Sequence, residues 1–341
     1  MLTAMVFSGG LGLASYHAGV YQKFHGRSLL LDWVAGSSAG AITAALVAVN
    51  PVERRVGRLE SFWQMSADAV IDHPFRRLQA WTSVARGHLG GHPGFFRMRL
   101  PSPHPLRFRS IYDLAPMRER LGRLIDFGRL NSGETRVSIC ATDVESGDAV
   151  LFDTDDGPLE MDHLLASCGF LPEFAPVEVD GRLYVDGGLS ANAPFDPILR
   201  TNAAIRLFVI DLFSRDGSRP KTIEAAGERK TDLMFGNQTF VRLRDQMELR
   251  RLRKELGQFT IEGEDEIILL SYRSGPEEPG PEKSYNFSRD GLATRWNEGR
   301  RDMAFALDVP GTTTDGIQMV RRPAERTLLS RTEDALERYT I

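Results

Sequence analysis

The chain has 341 residues, 42% of them apolar, a formal net charge of −4, two cysteines and seven histidines. That is enough apolar material for one large domain with an extension or for two domains, and the charge leaves no global basic field for nucleic acid. Two cysteines argue against a disulfide framework, Met1-Leu2-Thr3-Ala4-Met5 carries no charged leader, and no apolar run approaches the ~20 residues of a membrane span, so the composition reads as that of a soluble cytoplasmic protein.

Thr3 to Phe7 reads as a strand that ends in Ser8-Gly9-Gly10-Leu11-Gly12, followed by a helix through Tyr16, Val20 and Phe24. A glycine-rich turn between strand and helix presents N–H groups to an anion, and both a phosphate and an acyl-transfer oxyanion fit. Gly10-x-Gly12-x-x-Ser15, with Asp32 about 20 residues on, approaches a dinucleotide fingerprint, but its third position is serine. Leu29 to Val34 then reads as a strand and Ala39 to Val49 as a helix ended by Asn50-Pro51. Between them lies Gly36-Ser37-Ser38-Ala39-Gly40. Gly-x-Ser-x-Gly between strand and helix is the context of a nucleophile elbow. Gly36 and Gly40 let the backbone turn without a Cβ clash, the Ser38 hydroxyl is pushed out, and the helix N-terminus offers donors to a developing oxyanion. The plainer alternative is a Gly/Ser loop in which Ser38 caps an ordinary helix.

Glu53 to Met65 looks helical, and residues 61–110 then read as an irregular flap over an apolar pocket or a surface resting on an interface. His73, His88, His92 and His104 fall here among Pro and Gly without metal-ligand spacing, so they read as surface residues. A helix from Ile111 to Ile125, a hairpin of Thr135–Thr142 and Ala149–Asp153, and a short helix from Met161 to Cys168 follow. Val177 to Val185 is a hairpin around Asp180-Gly181 that delivers Asp186-Gly187-Gly188. Ala204 to Leu212 is another apolar strand. The alternation implies a doubly wound, mainly parallel sheet. A carboxylate leaving an apolar strand, as Asp186 does, is desolvated and its pKa raised, which suits a base; a plain turn is the alternative. His17 and His163 are the other candidate bases, and both read as structural.

Beyond Ser214–Pro220, Phe240 to Leu256 is a basic helix that suits either an anionic membrane surface or a solvated face. Ile267–Tyr272 is a strand, Ser274–Pro281 a loop, and Asn286-Phe287-Ser288-Arg289 caps a helix carrying Leu292, Trp296, Met303 and Leu307. Residues 309–341 read as a loop and a final polar helix.

The order of these motifs resembles the patatin-like phospholipase family over residues 3 to about 212: the loop at Ser8–Gly12, then Gly36–Gly40, Leu165–Pro172, and Asp186-Gly187-Gly188 with Asn192 and Pro194 behind it. Tyr285–Ser288 with Arg295-Trp296 and Gly299 resembles the C-terminal extension of a bacterial subgroup. The resemblance implies a three-layer α/β/α fold with residues 1–215 as catalytic domain and 216–341 as a mostly helical extension packed on it. It implies a Ser–Asp dyad without histidine, Ser38 being the nucleophile and Asp186 the base. Gly9, Gly10, Leu11, Gly12 and Ala39 map to the oxyanion hole, with Gly36, Gly40, Gly187 and Gly188 as supporting glycines. The implied reaction is hydrolysis of phospholipid, lysophospholipid or other acyl esters through an acyl-enzyme, with no metal or organic cofactor. The expected partners are the lipid or ester and, peripherally, a membrane, with no nucleic acid; the residues leave the oligomeric state open. The chain departs from the family at Leu11, Leu13 and Ala14. Leu11 restricts φ, and one misplaced donor costs on the order of 3 kcal/mol of transition-state stabilisation. Those departures motivate the alternative of a catalytically weak lipid-binding or scaffold protein.

Overall fold

The structure, a computed structural model, describes residues 1–27, 29–64, 76–99, 110–274, 283–309 and 312–322. β1 (Leu2–Phe7) is buried from Ala4 onward, as a strand covered on both faces must be. A 3₁₀ turn (Leu11–Ala14), α1 (Ser15–His25), β2 (Trp33–Ser37) and α2 (Ala39–Ala48) follow. β2 starts later than the run Leu29–Val34 suggests, because Leu30 is 79% exposed and pairing with β1 begins at Trp33.

α3 (Val52–Gln64) and α4 (Arg76–Gly90) lead to a small antiparallel sheet of β3 (Gly91–His92), β4 (Phe96–Met98) and β5 (Tyr112–Asp113). The described residues among 61–110 are therefore more regular than the Gly and Pro content of that stretch suggests. His92, expected at the surface, is buried against Phe95 and Phe287. Met65, His73 and His104 lie outside the described residues. The helix expected from Ile111 begins only at α5 (Ala115–Leu124), since Tyr112 and Asp113 pair with β4.

α6 (Phe127–Leu130), β6 (Arg136–Asp143), β7 (Ala149–Asp153), α7 (Met161–Ala166), β8 (Val177–Val179) and β9 (Arg182–Asp186) come next. The β8–β9 hairpin turns at Asp180-Gly181 with φ of 48° and 76°, the geometry an Asp-Gly pair favours. α8 (Gly188–Ala191), α9 (Asp196–Leu199) and β10 (Ile205–Asp211) bring the chain back beside β1.

The later segment holds α10 (Ile223–Glu255), β11 (Glu266–Ser271), a 3₁₀ turn (Lys283–Tyr285), α11 (Arg289–Asp308), β12 (Thr312–Thr314) and β13 (Ile317–Val320). α10 runs 33 residues and starts well before Phe240, capped by Thr222, whose hydroxyl accepts from the Ala225 N–H. Ser288 caps α11 in the same way through the Gly291 N–H. β12 and β13 form a hairpin where a loop was expected, and the final polar helix lies outside the described residues.

Ten strands form one sheet in the order β12-β13-β11-β10-β1-β2-β6-β9-β8, with β7 also on β6. From β13 to β6 every neighbour is parallel. Along β1, Met5 and Phe7 enter one core with α1 and α2, while Ala4 and Val6 enter a second with Phe195, Phe240 and Leu243. Alternate residues of a strand face opposite sides, so helices cover both faces and the fold is three-layered, α/β/α. The mostly helical C-terminal segment also continues the sheet, β11 pairing with β10 across the stretch around residue 215.

The basic helix is tied inward. Arg250 is buried on Asp265 and on the carbonyls of Leu199, Thr201 and Ala203. Arg242 pairs with Asp196, and Arg251 with Glu248 and Glu255. Arg250 and Arg242 thus hold one face of the helix on the domain, while Arg251 and its two glutamates stay exposed.

Candidate active site

β6 is the element that brings the candidate residues together. β2 pairs with its first half, ending at Ser37 opposite Cys140. β9 pairs with its second half, ending at Asp186 opposite Ala141. β7 pairs with residues 138–142 and so occupies the other edge. β2 and β9 therefore meet end to end on one edge, and Ser38 and Asp186 emerge at the junction.

The elbow requires its glycines by close approach. A Cβ on Gly40 would lie 2.1 Å from the Phe7 carbonyl oxygen, and one on Gly36 would lie 2.3 Å from the Gly40 carbonyl carbon. β1, β2 and α2 are thus packed backbone to backbone at this turn. Ser38 sits at φ 55°, ψ −125°, a conformation that costs a non-glycine residue about 1–3 kcal/mol and that marks functional turns. Its N–H donates to the Ser167 hydroxyl at 2.8 Å, which donates to the Cys140 carbonyl at 2.6 Å.

Asp186 is 3% exposed, and burial pushes its carboxyl from 3.8 up to about 7. The Gly188 N–H donates to the carboxylate at 2.7 Å, and that contact and the neighbouring Ser38 side chain oppose the rise. Gly187 passes against the Cys140 carbonyl, where a Cβ would come within 2.2 Å. His17 is held among Phe7 and Thr43, and burial lowers its pKa to about 3, so it is neutral. His163 accepts from the Glu160 N–H in a capping box of α7. Both histidines thus have structural work.

The glycine-rich loop is only partly open to a ligand. Gly9 is removed from the expected oxyanion donors, because its N–H is taken by the Asn192 backbone oxygen at 3.2 Å and side-chain oxygen at 3.0 Å. Among the described residues no acceptor takes the N–H of Gly10, Leu11 or Ala39. Leu11 and Ala39 border the same cavity as Ser38, whereas Gly10 and Gly12 are not among its lining residues. Leu11 adopts φ 50°, the left-handed region that its side chain disfavours.

That cavity is apolar. Phe62, Trp63, Phe95, Phe96, Phe174, Phe287 and Met117 line it with Ile42, Leu114 and Cys168. Cys168 is buried and its thiol pushed well above its ordinary pKa, so it stays protonated beside Ser38. The sequence carried no signal for Ser167 as the holder of the Ser38 N–H, for the Asn192 side chain on Gly9, or for Phe287 in the cavity. Among the described residues no three His, Cys, Asp or Glu gather as a metal site, and no helix is long and apolar enough to cross a membrane.

A model of the patatin-like phospholipase family matches residues 5–199. Uncharacterized NTE family proteins of Mycobacterium tuberculosis and Mycobacterium bovis are 29% identical over 206 residues, 60% of this chain and 48% of theirs. The chain thus spans about half the length of the curated relatives it matches. Among solved structures, VipD from Legionella pneumophila is similar at 11% identity, 90% of this chain, 66% of that one and a TM-score of 0.43. Human GIVD cytosolic phospholipase A2, in complex with methyl gamma-linolenyl fluorophosphonate, is similar at 11% identity, 90% and 58% coverage and a TM-score of 0.40.

Proposed function

The chain belongs to the patatin-like phospholipase family, and from that premise we propose that it is a serine acyl hydrolase acting on lipid-like acyl esters through Ser38 and Asp186. The observation that carries the reading is the junction of β2 and β9 on β6, with Ser38 beside a buried carboxylate and bordering an aromatic-lined cavity.

In this reading the Ser38 oxygen attacks the ester carbonyl while Asp186 takes its proton. A base with a pKa of about 7 suits that task near neutral pH. The N–H groups of Gly10, Leu11 and Ala39, with the N-terminal end of α2 behind them, receive the oxyanion. Collapse expels the alcohol, which takes the proton from Asp186. A water that loses its proton to Asp186 then cleaves the acyl-enzyme and restores Ser38. The cavity accepts the acyl chain.

Labelling with a fluorophosphonate, mapped to the modified peptide, tests the nucleophile, and a panel of esters of graded chain length tests the substrate class. Labelling of Ser38 with ester turnover is expected. The left-handed Leu11 favours the other reading, a weakly catalytic lipid-binding protein. Chain binding without labelling or turnover would select it.

A further inference from the structure

We propose that Arg295, from the C-terminal helix α11, is a positioning residue of the acyl-transfer site that holds the glycine-rich loop through the Gly12 carbonyl. The inference rests on the hydrolase reading above.

Arg295 is fully buried. One terminal nitrogen donates to the Gly12 carbonyl at 3.0 Å and to the Asn286 carbonyl at 2.7 Å; the other donates to the Lys283 carbonyl at 3.0 Å. The planar guanidinium thus fastens the loop after β1 to the turn at residues 283–286. The next residue of that turn, Phe287, lines the cavity, and its N–H is fixed by the Ser83 hydroxyl of α4 at 3.2 Å. One side chain therefore links the oxyanion loop, a cavity wall and the C-terminal helix.

The anchor is rigid. α11 lies so close to α1 that a Cβ on Gly19 would come 1.8 Å from the Trp296 carbonyl oxygen, and one on Gly299 would come 2.2 Å from that of Tyr16. Trp296 Nε1 donates to the Gln22 side chain at 2.7 Å, and the Tyr16 hydroxyl donates to Asp302 at 2.8 Å. What is anchored needs holding. Leu11, just before Gly12, sits at φ 50°, which a residue with a Cβ leaves unless its neighbours fix it. If the peptide at Leu11 relaxed, its N–H would turn away from the place where the oxyanion forms.

The test uses the full chain with R295K, which keeps charge and stem, and R295M, which keeps much of the volume. Measured are kcat and KM on a soluble p-nitrophenyl ester, the rate of fluorophosphonate labelling, amide exchange over residues 9–13, and the thermal melt. In R295K, kcat and the labelling rate should fall together on the order of tenfold to a hundredfold, the scale of a misplaced oxyanion donor, with KM nearly unchanged. Exchange should quicken at Leu13, whose N–H donates to the Gly10 carbonyl, and not in β1. In a Leu11→Gly background, where the left-handed conformation needs no holding, the same Arg295 change should cost less. Native kcat in either folded variant, a change in KM alone, or an equal fall in the Leu11→Gly background would overturn the proposal. If the unmodified chain is not labelled, the hydrolase reading fails on its own. The exchange measurement still judges Arg295, and native-like exchange at 9–13 in R295M sinks the hold itself.

Discussion

The backbone N–H of Ser38 donates to the hydroxyl of Ser167 at 2.8 Å, a contact between the elbow and the end of α7. The strained turn is thereby fixed to β6, since Ser167 donates in turn to the Cys140 carbonyl. Ser167→Ala leaves a buried N–H without an acceptor, a loss of about 1–3 kcal/mol. Urea unfolding should show that loss, and fluorophosphonate labelling should slow. A variant native in both respects would mean the turn is held elsewhere.

Ser38→Ala and Asp186→Asn should each remove nearly all esterase activity while leaving the far-UV circular dichroism intact. The double variant should lose little more than either single one, because residues acting as a unit are strongly non-additive. His17→Ala and His163→Ala should keep the activity of whatever folded protein remains. Full activity in Asp186→Asn would hand the base role to another group.

Burial raises the Asp186 carboxyl from 3.8 to about 7, and the pH dependence follows in sign. A base must be ionised, so kcat/KM should rise with pH through about 7. Stability runs the other way. Between the two values the folded state holds a proton that the unfolded state has released. The group's stabilising contribution is therefore complete below 3.8 and is lost as pH climbs through about 7. Asp186→Asn, which carries no charge to bury, should be more stable than the native chain at pH 8, on the order of 1–4 kcal/mol. The gap should shrink toward acid pH. Denaturant melts across that range check it, and a gap that widens in acid contradicts the assignment.

Met117 of α5 lines the cavity and is 6% exposed. Met117→Ala should cost about 2–5 kcal/mol and shift turnover toward longer or bulkier acyl groups, since the vacated space adjoins Ser38. Unchanged chain-length preference across the ester panel would place the acyl chain outside this cavity.

The segment of α4 and the small β3–β4–β5 sheet covers the cavity through Phe95 and Phe96. Small sheets have a few hydrogen bonds to break, and we expect its amides to exchange faster than those of β1 and β10. Protection equal to the central sheet would rule out a flap that opens for substrate.

The features legible in the sequence are local ones. A strand, a glycine-rich turn and a helix around Gly10, the elbow at Ser38, the Asp180-Gly181 hairpin and the Ser288 cap all depend on residues within a few positions of one another. Backbone sterics, side-chain caps and apolar periodicity act over that range. Asp186 was legible for the same reason, as the residue leaving an apolar strand before two glycines. The expectation that Leu29 opens β2 failed because an apolar run does not say where a neighbouring strand begins to pair.

What only the tertiary structure decided are the meetings between distant segments. That β2 and β9 share one edge of β6, that Asn192 takes the Gly9 N–H, that His92 is buried on Phe287, and that Arg295 reaches Gly12 are set by how the whole sheet and its helices pack. Such contacts leave no period in the chain. A buried donor must find an acceptor, but which one it finds depends on the positions of all the layers at once. The residue types at the candidate site were therefore written in the sequence, while their partners came into being only when the sheet closed around them.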